Sequence, residues 1–381
     1  MRTNALPHYA KVASVLIILI SLGYISVLGK DVLAPLVFSF LFAMLLLPVS
    51  RFLEHKCRLP RGVAAMLSVI LFTAFVALII YLLAVQAGSI SDDWPQIRAQ
   101  ISHSIDQLHR WTVNKFHFQW NAQMLALSKQ INAQAAPVIG TTLIGVTSIV
   151  LFLVFIFIDT FFILFYRKVL ISFLLKVFSD DREVLVFDVA EQIQFIMKKY
   201  ISGLFLEMLC VFALVFGLLS LIGIKYALLL AMLTAIFNLI PYVGIFSATA
   251  ISGLFALGTL DPGKALEVVL SIIAVHLIDS NIIMPRIVGS KVKLNALVVV
   301  LGVIVGEMLW GISGMFLAIP VLAIVKIVFD RVTDLKPWGL LLGDATEYQE
   351  VLVERVAKKS DTPKEAAKKA KDDLLDDKDK K

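Results

Sequence analysis

Side chains able to hold a proton or an ion stand inside apolar stretches at Glu207, Asn238, His276, Asp279, Asn281 and Glu307. His276 and Asp279 are three residues apart and share one face of a helix. A histidine beside a carboxylate can take up and release a proton near neutral pH. A charge near the middle of a bilayer costs about 3 kcal/mol even on mild insertion scales, so each needs a partner, a wet cavity or a function. Glu307 lies among Gly302, Gly306, Gly311 and Gly314, where backbone carbonyls could share an ion with it. Asn238 opens the stretch Asn238-Leu-Ile-Pro-Tyr-Val-Gly244, where it could cap its own break or contact a substrate. Each of these groups also has a plainer reading as a hydrogen bond between helices. Asp159, in an earlier apolar run, reads as such a structural contact.

The elements that must position these groups are membrane spans. Hydrophobic residues make up 59% and charged residues 17%, and the mean hydropathy is +0.88, outside the soluble globular range. Apolar runs cover 12–28, 32–49, 62–85, 141–166, 201–222 and 266–284, most long enough to cross a bilayer, which takes about 20 residues. The basic loop with Arg51, His55, Lys56, Arg58 and Arg61 is placed in the cytoplasm by the positive-inside rule, together with the N-terminus. Residues 86–140 then fall outside, and Ile97, Ile101, Ile105, Leu108 and Trp111 mark an apolar helical face. That insert reads as a helical hairpin lying on the bilayer or on a neighbouring subunit, with substrate capture as the alternative.

Two further runs are broken. Pro241 interrupts the stretch 226–257, and it can neither donate a backbone hydrogen bond nor leave Ile240 free to be helical. Irregular backbone at membrane depth survives only in protein or beside a wet cavity. The break carries no charge, so the predicted hairpin enters from outside and has its tip, ending at Gly244, at or short of the cytoplasmic face. After Pro285 and a basic loop around Gly289, the run 294–328 is broken at Gly306 to Gly314 and closes through Pro320. It reads as a second hairpin, entering from inside. Opposed hairpins in inverted halves, meeting near the midplane, suit alternating access. Asn238 and Glu307 are then expected to flank one site, with His276 and Asp279 between them.

His276-Leu-Ile-Asp279, Pro285, Gly289 and the run from Leu301 to Pro320, with the upstream Phe237–Gly244 stretch, resemble the signature of the AI-2E (autoinducer-2 exporter) family of bacterial membrane proteins. The resemblance covers most of 34–328 and is weakest over 86–140. It implies a transporter that exports autoinducer-2, a quorum-sensing signal, or exchanges sodium or lithium for protons, in a homo-oligomeric, pentameric assembly. One departure is Leu294-Asn295, where relatives carry Leu-Pro; a less rigid entry to the last hairpin is expected.

The sequence therefore predicts an all-α, polytopic bundle of about eight transmembrane segments. Its parts are 1–85 with three spans, the 86–140 insert, 141–200 with a span and a cytoplasmic amphipathic helix, a 201–330 transport core, and a 331–381 cytoplasmic tail disordered toward its end. Lipid, a small-molecule or ion substrate and further copies of the chain are the expected partners, not nucleic acid, because the basic residues behind the +6 net charge sit in short loops. No Walker A, HExxH or GxSxG pattern occurs, and Cys57 and Cys210 form neither a disulfide framework nor a metal spacing. No enzyme activity, cofactor or metal is expected. A channel, or a scaffold for which the buried acids are dispensable, is the alternative to a secondary transporter of the bacterial inner membrane.

Overall fold

The computed structural model describes residues 8–116, 122–178, 183–240, 243–287 and 294–344. Every regular element among them is helical. Six helices are long and apolar enough to cross a membrane, and four shorter ones are apolar. The chain is a multi-pass membrane protein.

Helices α1 (His8–Leu28) and α2 (Lys30–His55) are joined at Gly29. Helices α3 (Arg61–Phe116) and α4 (Ala122–Val177) are 56 residues each, or about 84 Å at the helical rise. A bilayer core is about 30 Å thick. Both helices therefore run far past the membrane, and within the 86–140 insert residues 86–116 and 122–140 continue these two spans as helix. Continuity follows from composition: after the apolar span of α3 ends at Ile90, the four-residue spacing of Ile97, Ile101 and Ile105 carries the helical face onward. Likewise α5 (Glu183–Ile222) joins the expected amphipathic helix and the next span in one rod.

The extension of α3 forms an arm that docks on the core. Ile97 and Ile101 are buried against α5, α6 (Ala227–Phe237), α7 (Val243–Thr259) and α8 (Pro262–Ile278). A Cβ at Gly258 would lie 2.6 Å from Ile97, so glycine lets α7 approach the arm. The Ser104 hydroxyl donates to the Leu257 carbonyl at 3.0 Å. Near the start of α6, Asp93 accepts from Lys225 and from the Tyr226 hydroxyl. These contacts put both ends of the α6–α7 hairpin on the side of the arm, as expected of a hairpin entering from that side. Since α6 has only 11 residues, about 16 Å, its tip stops partway through the membrane.

After α8 the chain passes through a π-helical turn (Asp279–Ile283) into α9 (Met284–Ile287). The last hairpin pairs α10 (Ala296–Trp310) with α11 (Ile312–Arg331), followed by α12 (Lys336–Leu342). Its base is opposite the arm: Arg331 pairs with Asp188 near the start of α5. The Asn295 side chain caps α10 by accepting from the Leu297 N–H at 2.9 Å, and its own N–H donates to the Leu342 carbonyl at 2.9 Å. Where relatives are expected to carry proline, asparagine thus supplies a side-chain cap that proline cannot.

Three apolar clusters hold the bundle. One joins the arm to α5–α8, one joins α2, α5 and α11 around Leu41, Met197, Tyr200 and Leu317, and one joins α2, α3 and α4 around Ala43, Ala65, Phe72 and Leu164. Pro241 and Gly289 lie outside the described residues, as does the tail from 345 onward.

Candidate functional site

Three elements meet at the tip of the α6–α7 hairpin. Glu207 comes from the middle of α5 and is 4% exposed, and Asp279 begins the π-turn after α8, also at 4%. Between them stands Asn238 at the end of α6. Its Nδ2 donates to Glu207 Oε1 at 3.2 Å and to Asp279 Oδ2 at 2.9 Å. One amide nitrogen carries two protons, so each carboxylate receives one. Asn238 reaches both because α6 stops there. Its N–H still bonds the Thr234 carbonyl at 2.9 Å, and the chain turns through Ile240, whose N–H bonds the Phe237 carbonyl at 2.9 Å. Gly244 seals the break: a Cβ there would sit 2.0 Å from the Phe237 carbonyl oxygen. Glycine permits that close approach of two backbones.

The two acids are only partly satisfied. Among the described residues Glu207 Oε2 and Asp279 Oδ1 are buried without a hydrogen-bond partner, and so is His276 Nδ1. A buried carboxyl oxygen without a partner is costly, and a proton or a cation would supply the partner that each acid lacks. A cavity of about 10 Å³ opens here, lined by Asn238, His276, Asp279, Thr234, Gly244 and apolar side chains including Val211 and Ile272. That is about the volume one water molecule requires. Among the described residues no group of three His, Cys, Asp or Glu side chains is placed to hold a metal ion.

The expected constellation is thus regrouped. Glu207, Asn238, His276 and Asp279 come together. His276 and Asp279, expected on one helix face, both line the cavity; Asp279 accepts from Asn238, while His276 Nε2 lies 3.3 Å from the Ser280 hydroxyl. Asn281 is exposed and donates to the Leu277 carbonyl at 2.8 Å, away from the cavity. Glu307 is exposed on α10 and absent from the cavity lining. Pro285 is exposed in α9, and Pro320 is buried within α11. Gly306 and Gly314 face each other across the α10–α11 crossing, where a Cβ on Gly314 would sit 1.9 Å from the Gly306 carbonyl oxygen. Gly311 makes the turn at φ +62°. Sequence reasoning missed Thr234, although it is four residues before Asn238 and so on its face. It also missed the π-turn at Asp279, which no residue spacing announces; such turns recur at functional sites.

The family of this architecture is shown by comparison: residues 16–334 match the model of the AI-2E family transporter. The chain belongs to the AI-2E transporter family. It is 26% identical over 312 residues to the putative transport protein YrrI of Bacillus subtilis, covering 78% of this chain and 86% of that one. It is 27% identical to the putative transport protein YueF of the same organism, over 74% of this chain and 79% of that one. It is 32% identical over 191 residues to the putative permease PerM of Escherichia coli K12, over 49% and 53% of the two chains. In this family member the acids and the asparagine fall on the three elements that surround the hairpin break.

Proposed function

We propose that this AI-2E family member is a secondary transporter of the bacterial inner membrane, with both termini cytoplasmic, and that it exports a small hydrophilic, autoinducer-2-like solute by coupling to protons or cations at Glu207, Asn238 and Asp279. The observation that carries the coupling is the pair of nearly buried carboxyls, each with an unpartnered oxygen, bridged by one amide at a helix break. A proton or a cation arriving between them replaces the missing partner and alters what the break can hold. Alternating access follows if the break opens to one side when loaded and to the other when empty.

The size of the cavity favours a second reading beside the first. About 10 Å³ admits a water, a proton or a small bare cation, so exchange of sodium or lithium for protons suits the geometry as drawn, whereas a sugar-like solute requires the hairpin to open. The chain works as a homo-oligomer in either case. Glu307, exposed on α10 in the single chain, is there given a protein or wet surrounding that lipid does not supply; the pentamer is the assembly the family resemblance implies.

Purified protein in vesicles loaded with a pH-sensitive dye tests both readings. Imposed sodium or lithium gradients should move protons if exchange is the activity, and a gradient of the solute should do so if export is. Flux equal to that of empty vesicles under every gradient would remove the transport reading.

A further inference from the structure

A second charged cluster lies at the opposite membrane surface from the arm, where α2 ends, α3 begins and α4 leaves the bilayer. Arg167 Nη2 donates to Glu54 Oε2 at 2.6 Å, and the Ser50 hydroxyl donates to Glu54 Oε1 at 3.2 Å. Both oxygens of that carboxylate are engaged. Arg61, on the same site, has no carboxylate left. Among the described residues its Nε and Nη2 are buried without a partner, and so is Arg167 Nη1. Nε and Nη2 form one edge of the guanidinium, the edge that makes two parallel hydrogen bonds to a carboxylate or phosphate. Two arginines against one glutamate leave one positive charge unbalanced.

The surroundings select an anion. The adjoining loop carries exposed Lys56 and Arg58, and Arg61 starts a helix whose first N–H groups have no intrahelical acceptor. Glu54 and Arg167 retain 13% and 17% side-chain exposure, so the cluster lies at the surface rather than sealed in the core. Basic pockets between transmembrane helices at the headgroup level hold acidic lipid head groups.

We propose that Arg61 and Arg167 form a phosphate-binding site, in which the Nε–Nη2 edge of Arg61 and Nη1 of Arg167 take the oxygens of a phospholipid phosphodiester or of inorganic phosphate. Bound phosphate gives the unpaired edge its hydrogen bonds and cancels the surplus charge. It also ties α2, α3 and α4 together at one end, on elements other than those that line the Asn238–Asp279 cavity.

Full-length protein in nanodiscs tests this through its Tm. The probes are discs of phosphatidylcholine alone, discs of equal parts phosphatidylcholine and phosphatidylglycerol, and phosphatidylcholine discs with added inorganic phosphate. Wild-type Tm should rise in the presence of phosphatidylglycerol if the lipid is the ligand, or with inorganic phosphate in neutral discs if the free anion is. Arg61→Gln should abolish the rise and weaken apparent affinity about tenfold or more, as expected for lost hydrogen bonds to a charged group. Arg61→Lys should recover part of it, and Lys264→Gln, exposed at the start of α8 on the side of the arm, should leave it intact. Since Arg61 makes no ion pair among the described residues, Arg61→Gln should be at least as stable as wild type in pure phosphatidylcholine. A full rise in Arg61→Gln, or no rise for wild type with either phosphate source, overturns the proposal.

Discussion

The two hairpins look alike on paper, each a glycine-marked break in an apolar run, yet they are built for different work. In α6–α7 the break leaves the helical path, and Asn238 bridges two acids from elements on either side. In α10–α11 the turn is tight. Gly311 takes a left-handed φ, while Gly306 and Gly314 bring the two helices into backbone contact. Its acid, Glu307, points away. The difference teaches that a broken membrane helix gathers polar groups when neighbouring elements supply them to the break. Where two helices pack on glycine instead, the break closes into a tight turn. Phe316, near this turn, stacks on Phe38 of α2 with centroids 5.3 Å apart, and the Trp310 indole N–H reaches the Ser26 carbonyl at 3.0 Å. The tip of the second hairpin is thus anchored by packing to α1 and α2.

The largest effect should come from neutralising the bridged acids. Asp279→Asn and Glu207→Gln keep the volume and can still accept from Asn238, so folded protein should persist. Coupled flux should fall about tenfold or more, the scale of one lost charged hydrogen bond, and its pH dependence should disappear. His276→Gln should alter the pH profile less, because His276 does not hold either acid. Wild-type flux in Asp279→Asn would make the cluster packing only and erase the contrast between the hairpins.

Next in size is the glycine crossing. Gly314→Ala forces α10 and α11 apart, and overpacking of this kind costs about 1–3 kcal/mol; thermal unfolding in detergent should show a lowered Tm with ion selectivity unchanged. If Gly314→Ala instead abolished coupling at unchanged Tm, the second hairpin would be part of the machinery.

The arm gives a smaller, pH-dependent effect. Hydrogen bonds from Lys225 first, and then from Tyr226, hold the Asp93 carboxyl below its ordinary value of 3.8. A depressed value in the folded state means the contact contributes above that ordinary value and is lost only as pH falls through the lowered one. Hydrogen exchange at 222–227 should therefore stay slow through mildly acidic pH and speed up only in stronger acid. Asp93→Asn should remove that acid-dependent rise. The smallest change is expected for Glu307→Gln, with coupled flux within about twofold of wild type, as for a substitution away from any buried network.

Apolar runs and loop charges alone identified a polytopic helical membrane protein, because nothing else fits so little charge into so many long hydrophobic windows. The break at 238–244 was legible too, since Pro241 and the missing charge are local facts, and so were four of the residues now found together. What periodicity could not say was which polar group faces which. Asp279 was expected beside His276, its neighbour on the helix, and both line the cavity, but the hydrogen bond from Asn238 that joins Asp279 to Glu207 depends on the short reach of α6. Glu307 was expected at the same site because inverted halves suggest symmetry, and the packing of Gly306 on Gly314 turned it away. The continuation of α3 into an arm on the hairpin was likewise invisible as a contact, although its stripe of isoleucines was plain. Hydropathy is a property of each segment and can be read along the chain; a bridge between two acids 72 residues apart depends on where three helices stop relative to one another, which only the folded packing decides.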